Sequence, residues 1–175
     1  MSIALENPRA DAVTLSVEDV RQFLYHEARC LDDKEWETWL GLYASDAEFW
    51  MPSWDDDEQL VTDPQAHISL IWYGRKSGLE DRVFRVRTER SSATSQPEPR
   101  TSHNISNVEI LTQDGGVCDL RFNWVTFSYR CNTVDTYFGT SFYTLDTTSA
   151  QPLIKRKKVI LKNDYIHHVV DIYHV

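Results

Sequence analysis

The residues that could do chemistry are few, and their spacing narrows what that chemistry could be. Six histidines are present, His26, His67, His103, His167, His168 and His174. None of them forms the H-x-x-x-H or H-E-x-x-H pair that sets two imidazoles on one helix face. His167 and His168 are adjacent, so in an extended chain they point to opposite sides and cannot share one ion. His168 and Asp171 stand three apart, a weak trace of a two-histidine-one-carboxylate iron site. The three cysteines, Cys30, Cys118 and Cys131, contain no C-x-x-C pair, and none has a histidine two residues away, so the paired motifs of a Rieske cluster are absent. No glycine-rich phosphate loop and no G-x-S-x-G elbow occurs. Acid–base chemistry is what remains. His103 with Asp46 and Tyr43 is the set that could serve it, a histidine near a carboxylate being a workable general base. The competing reading satisfies His103 within the polar run Thr101-Ser102-His103-Asn104.

Two basic clusters call for a binding reading instead. Arg82, Arg85, Arg87 and Arg90 fall within nine residues. If Val83–Arg90 is a strand, Arg85 and Arg87 share a side and fit a protein–protein contact, since arginine suits bidentate pairing with carboxylates. Trp54, beside the acidic run Asp55-Asp56-Asp57-Glu58, is a further contact candidate. Lys155-Arg156-Lys157-Lys158 alternates within a strand and reads as edge protection.

The whole chain frames these residues. It has 175 residues, 41% hydrophobic and 26% charged, with a formal net charge of −9. That composition suits one folded domain, excludes a disordered chain and makes a poor nucleic-acid binder. No apolar run is long enough to span a membrane. The odd, scattered cysteines and the lack of a signal-like segment point to the reducing cytoplasm. Charge is uneven: residues 1–81 carry 18 acids and 6 bases, and residues 82–175 carry 9 acids and 12 bases. The sharper meaning of this asymmetry is an acidic helical layer beside a basic sheet face.

Residues 1–15 read as a flexible leader and 16–175 as a single domain. Ser16-Val17-Glu18-Asp19 is a helix start, and Val17, Val20, Leu24, Ala28 and Leu31 recur at helical spacing. Trp36, Trp39, Leu40 and Tyr43 predict a second short helix, and Glu48–Met51 a strand ending at Pro52. A loop over 52–64 and a third helix over 65–74 follow. From residue 82 the period becomes two. Strands are expected at Val83–Arg90, Thr101–Thr112, from Cys118 through Trp124, at Thr133–Leu145 and at Leu153–Lys162, with Asp114-Gly115-Gly116 as a hairpin turn. The end, Val169–Tyr173, reads as extended. Helices first and antiparallel strands after predict an α+β fold, with N-terminal helices packed on one face of a curved, mainly antiparallel sheet. Cys118 shares a face with Leu120 and Phe122, and the thiols are expected to be buried.

Several longer stretches carry a resemblance. They are Gln22-Phe23-Leu24-Tyr25-His26-Glu27-Ala28-Arg29 with Leu31-Asp32-Asp33 and Trp36, and Phe49-Trp50-Met51-Pro52-Ser53-Trp54-Asp55-Asp56. Glu80-Asp81-Arg82-Val83-Phe84-Arg85 with Thr88–Ala93, Arg100–Asn107 and Arg156–Asp164 continue the series. Together, over about residues 17–175, they resemble the small (beta) subunit of aromatic-ring-hydroxylating dioxygenases, most of all the benzoate/toluate 1,2-dioxygenase group. The resemblance implies a cone-like fold shared with scytalone dehydratase and nuclear transport factors. It implies a partner, the large (alpha) subunit, in an assembly of three large and three small subunits. The Rieske iron-sulfur cluster and a mononuclear iron would lie in the large subunit, and electrons from NADH would arrive through a separate reductase. It implies no catalytic, cofactor or metal residue in this chain, which would be the non-catalytic structural subunit of an enzyme that cis-dihydroxylates an aromatic carboxylate such as benzoate. The alternatives are a free-standing cone-fold dehydratase or isomerase using His103, Asp46 and Tyr43, and a cone-fold binding module.

Overall fold

The computed structural model describes residues 12–88 and 97–175. Helix α1 (Val17–Asp32) begins at a capping box: Asp19 N–H donates to Ser16 Oγ, and Ser16 N–H donates to the Asp19 carboxylate at 2.8 Å. Its buried face is Val20, Leu24, Glu27, Cys30 and Leu31. Val17 is exposed and Ala28 only partly covered, so the apolar stripe is turned from the expected one, and the turn carries a glutamate into the core. The short helix α2 (Trp36–Gly41) buries Trp39 and Leu40.

The strands are β1 (Tyr43–Pro52), β2 (Ser69–Tyr73), β3 (Arg100–Asp114), β4 (Val117–Arg130), β5 (Thr133–Asp146) and β6 (Leu153–Leu161), with helix α3 (Lys76–Arg87) between β2 and β3. They form one six-stranded sheet in the order β2-β1-β6-β5-β4-β3, antiparallel except where β1 runs parallel to β6. Helices on one face and a curved, mainly antiparallel sheet are the architecture expected. In β4 the alternation is clean: Cys118, Leu120, Phe122 and Trp124 point into the core while Asp119, Arg121 and Asn123 face away. Gly115 and Gly116 turn the β3–β4 hairpin with φ of 56° and 83°, which both positions of a type I′ turn require. Gly139 is needed for a different reason: a Cβ there would stand 2.0 Å from the Ile160 carbonyl oxygen.

Several expectations are corrected. Residues 65–74 do not form a helix: Ser69–Tyr73 is β2, paired with β1 through Trp50–Trp72 and Phe49–Tyr73. Its apolar run is too short for periodicity to separate strand from helix. Val83–Arg87 is not strand but the end of α3, which buries Leu79, Val83 and Val86 at helical spacing. Arg85 and Arg87 therefore lie on roughly opposite sides of a helix rather than on one strand face. Strand β6 is not an edge: it lies between β1 and β5, and its inward Lys157 is fully buried. The C-terminal segment ends not as a strand but in a 3-10 turn, Ile172–His174, with residues 171–175 all buried. Cys30 and Cys118 are buried as expected, whereas Cys131 is exposed in the two-residue turn between β4 and β5. Of the expected leader, residues 12–15 are described, and they are tied down: Val13 N–H donates to Thr147 O, and Leu15 is buried.

Phe122 packs edge-on against Tyr143 with ring centroids 5.0 Å apart and is almost wholly enclosed. Phe122→Ala is expected to lower unfolding free energy by about 3–5 kcal/mol. Chemical denaturation measures this, and a loss below about 1 kcal/mol would contradict the inward assignment of β4.

Candidate functional site

Between α1 and the sheet, where a cone-shaped fold has room for a pocket, the chain places a charged cluster. Glu27 projects from the buried stripe of α1 and Lys157 from β6. Lys157 Nζ donates to Glu27 Oε1 at 2.9 Å. Tyr43 of β1 donates to the same oxygen at 2.9 Å, and Tyr143 of β5 donates to Oε2 at 2.7 Å. Lys157 also donates to the backbone carbonyl of Val175 at 3.3 Å and lies 5.2 Å from the ring centroids of Phe49 and Tyr143. All four polar side chains are buried. Burial pushes the Glu27 carboxyl up, but the Lys157 ammonium and the Tyr143 and Tyr43 hydroxyls more than offset it and hold Glu27 below the usual glutamate value. Burial, followed by the Glu27 charge, raises both tyrosines well above their usual value, so they remain donors. A carboxylate with three donors has little left to offer a substrate, so this cluster binds the fold together.

A second pairing lies where α1 ends against β3. The Asp32 carboxylate accepts from His103 Nδ1 at 2.6 Å, from the His103 backbone N–H at 3.0 Å and from Thr101 Oγ1 at 2.9 Å. Partial burial raises the Asp32 carboxyl, and the His103 and Thr101 bonds outweigh it, leaving a net lowering. With Nδ1 facing a carboxylate, His103 keeps its proton there and its buried Nε2 finds no partner among the described residues.

The third grouping is at the C-terminus. Arg82 Nε donates to Asp171 Oδ1 at 2.7 Å, and a second guanidinium bond reaches Oδ2. Asp171 N–H donates to His174 Nδ1 at 3.0 Å, and the His174 ring stacks on Tyr137 with centroids 4.5 Å apart. Burial, aided by His103, His168 and Arg130, drives the His174 pKa down from 6.5 to about 3. His174 and Tyr137 border a cleft of about 770 Å³ with Ser128, Arg130 and His168. A second cleft of about 540 Å³ opens between α1, α2 and the end of α3, beside Trp36 and Tyr173.

The trio considered for acid–base chemistry is not brought together. His103 pairs with Asp32, Tyr43 bonds to Glu27, and Asp46 is exposed on β1 with Lys155 at 3.7 Å. The carboxylate partner of His103 was missed because it lies 71 residues away, at the far end of α1. Among the basic cluster, Arg82 is held by Asp171, Arg87 bonds to Glu37 at 2.6 Å, and Arg85 is exposed. Arg90 lies outside the described residues. Trp54 is half-exposed, its Nε1–H donating to Leu161 O at 2.7 Å. Sequence reading does not single out Glu27 and takes Lys157 for part of a protected edge strand. Their signal was positional: Glu27 falls between Leu24 and Leu31 on the helix stripe, and Lys157 has the same parity as the inward Val159 and Leu161. Among the described residues, no three histidine, cysteine, aspartate or glutamate side chains gather as a metal site would require, and no helix is long and apolar enough to cross a membrane.

Against known proteins, residues 26–168 match the ring hydroxylating beta subunit family model. The chain is 66% identical over 163 residues to the toluate 1,2-dioxygenase subunit beta of Pseudomonas putida, covering 93% of this chain and all of that one. Its fold matches the crystal structure of the beta subunit of the benzoate 1,2-dioxygenase of Burkholderia mallei, with a TM-score of 0.79, 53% identity, and 93% of this chain and 99% of that one covered. A scytalone dehydratase-like protein of Novosphingobium aromaticivorans, 13% identical with a TM-score of 0.61 over 87% of this chain and 89% of that one, shares the cone fold alone.

Two predictions come from these clusters. Glu27→Gln and Lys157→Met should each destabilise the fold by about 3–5 kcal/mol, because each strands a buried partner, while the double variant should cost clearly less than the sum. Additive losses in a denaturation cycle would mean that the pair is not coupled. For His174, the unfolded chain takes up a proton below pH 6.5 and the folded chain only near 3, so stability falls as pH drops through that window. The slope from this group is at most about 1.4 kcal/mol per pH unit. Denaturation at neutral and mildly acidic pH should show His174→Gln losing less stability on acidification than the wild type.

Proposed function

The chain belongs to the ring hydroxylating beta subunit family, and from that premise we propose that it is the scaffold of its oxygenase and leaves the chemistry to its partner. It is the small subunit of a benzoate/toluate-type ring-hydroxylating dioxygenase, and its partner is a large subunit. In our reading three small subunits carry three large ones in the cytoplasm. The large subunit holds the Rieske cluster and the mononuclear iron, a separate reductase delivers electrons from NADH, and the assembly cis-dihydroxylates an aromatic carboxylate of the benzoate or toluate kind.

The observation that carries the scaffold reading is the state of the interior. Where a cone-fold enzyme would keep an acid and a base facing a substrate, this chain has Glu27 occupied by Lys157, Tyr43 and Tyr143. His103 is likewise turned to Asp32 rather than to Asp46 or Tyr43, which speaks against a free-standing dehydratase or isomerase. Contacts with the partner would then fall on the surface. Arg85 and the neighbouring Phe84, both exposed on α3, are offered for this, with Trp54, while Arg82 and Arg87 act mainly within the chain.

The test is reconstitution with the large subunit. His103→Gln should weaken folding or assembly, yet turnover per assembled complex should stay within about two-fold of wild type, since interactions realised only in the transition state would be untouched. A loss of turnover beyond about ten-fold in fully assembled complex would place chemistry on this chain and sink the scaffold reading.

A further inference from the structure

The inward side of β4 changes character along its length. From Cys118 to Trp124 it is apolar, and beyond Thr126 the same parity gives Ser128 and Arg130. Register sets Tyr137 of β5 opposite Thr126 and Asp135 opposite Ser128. Ser128, Arg130, Asp135 and Tyr137 line the cleft of about 770 Å³, with residues 166–169 and His174 of the C-terminal segment across from them.

Three of these side chains are deeply buried yet leave a polar atom unpaired. Ser128 and Tyr137 are each 3% exposed and His174 5%. The Ser128 and Tyr137 hydroxyls bond to no other described residue. His174 is engaged at Nδ1, which accepts the Asp171 N–H at 3.0 Å. Its ring is neutral, so the proton stands on Nε2, and that N–H also bonds to no other described residue. None of the three atoms is sealed off, unlike Thr126 Oγ1 and His103 Nε2 deeper in the same face. Burying polar groups unpaired costs free energy, so these three favour a partner that enters the cleft.

Their chemistry defines that partner. All three can donate, and the Arg130 guanidinium is close enough for its charge to act on His174. Asp135, the one acid lining the cleft, lies 3.8 Å from His168 Nε2. Donors gathered beside a cation suit an anionic group that only accepts, and a carboxylate is that group. Pro99, Ile166 and Val169 give the cleft an apolar side along which the body of such a molecule can lie. The volume falls within the range of about 300–1,000 Å³ usual for small-molecule sites.

We propose that the cleft between the inner β4–β5 end of the sheet and the C-terminal segment binds a small organic carboxylate, held by Ser128, Tyr137, His174 and Arg130. The site stands apart from the Glu27–Lys157 cluster and does not depend on the scaffold reading.

Benzoate is the probe, and benzamide, of similar shape without the charge, is its control. Calorimetric titration of the full-length chain by itself, so that no partner contributes a site, should show saturable benzoate binding, with benzamide weaker by about ten-fold or more. Ser128→Ala and Tyr137→Phe each remove one hydroxyl that no other described residue uses. Each should weaken benzoate binding by about ten-fold while the melting temperature without ligand stays unchanged. A second measurement needs no substitution: in nuclear magnetic resonance spectra the His174 Nε2–H signal should shift in step with saturation. Should a variant melt early, that signal decides the matter. No saturable benzoate binding, benzamide bound as tightly, stably folded variants that bind like wild type, or a His174 signal that stays in place at saturation would each overturn the proposal. Inorganic phosphate that displaces benzoate at equal concentration would overturn the assignment to carboxylates.

Discussion

An ammonium group cannot lie in a protein core without a counter-charge, and the rest of this fold is arranged around the answer to that constraint. Moving a lysine from water into an apolar interior costs several kcal/mol even after relaxation. Lys157 recovers that cost only because Glu27, the hydroxyls of Tyr43 and Tyr143 around Glu27, and the carbonyl of Val175 all reach the same point. Those partners come from α1, β1, β5 and the C-terminal segment. Such a pair is weak evidence for stability as such. Its value is registry: α1 cannot slide along the sheet or turn about its axis without exposing an uncompensated charge to hydrocarbon. The rotated stripe of α1, with Val17 outside and Glu27 inside, follows directly.

The same device recurs at the borders of the core. Asp32 closes the last turn of α1 onto β3 through His103 and Thr101. Arg82 closes α3 onto the C-terminal turn through Asp171, whose backbone in turn bonds to His174. Histidine, aspartate, tyrosine and lysine are the residue types that a cone-fold enzyme would use for proton transfer. Here Glu27, Lys157, Asp32 and Asp171 are each committed to a neighbour from a different element. His174 shows the consequence: burial disfavours its charged form, and the neutral ring is fixed by a backbone donor at Nδ1 and by stacking on Tyr137.

How much of this could be read from the sequence depends on the length scale of each signal. Strands β3 to β6 were legible because alternation persists over nine to fifteen residues, and α1 because a capping box precedes a long apolar stripe. The region from 65 to 87 was misread in both directions. Five residues of β2 are too few to establish a period, and Phe84-Arg85-Val86-Arg87 alternates in type while the buried Val83 and Val86 obey helical spacing with Leu79. Family membership was legible from long motifs. The site was not: Glu27 and Lys157 are 130 residues apart, each resembles an ordinary surface charge, and only the sheet order, which places β6 beside β1 and β5, brings them together. The reading of Lys155–Lys158 as edge protection failed for that reason.

Glu27 accepts three hydrogen bonds inside, whereas apolar side chains stand uncovered outside. A side chain whose hydrogen bonds are all made adds rigidity but recognises nothing further, while exposed Phe127, Tyr129 and Phe138 lose free energy to water until something covers them. The division follows from one sheet having two faces with opposite tasks. The inner face is closed around the Glu27–Lys157 pair. The outer face displays aromatic side chains on long, well-paired strands, a stiffer platform than a loop would be. On the scaffold reading proposed above, rigidity within and adhesion without are the same requirement, because a platform that flexed would pass its motion to whatever it carried.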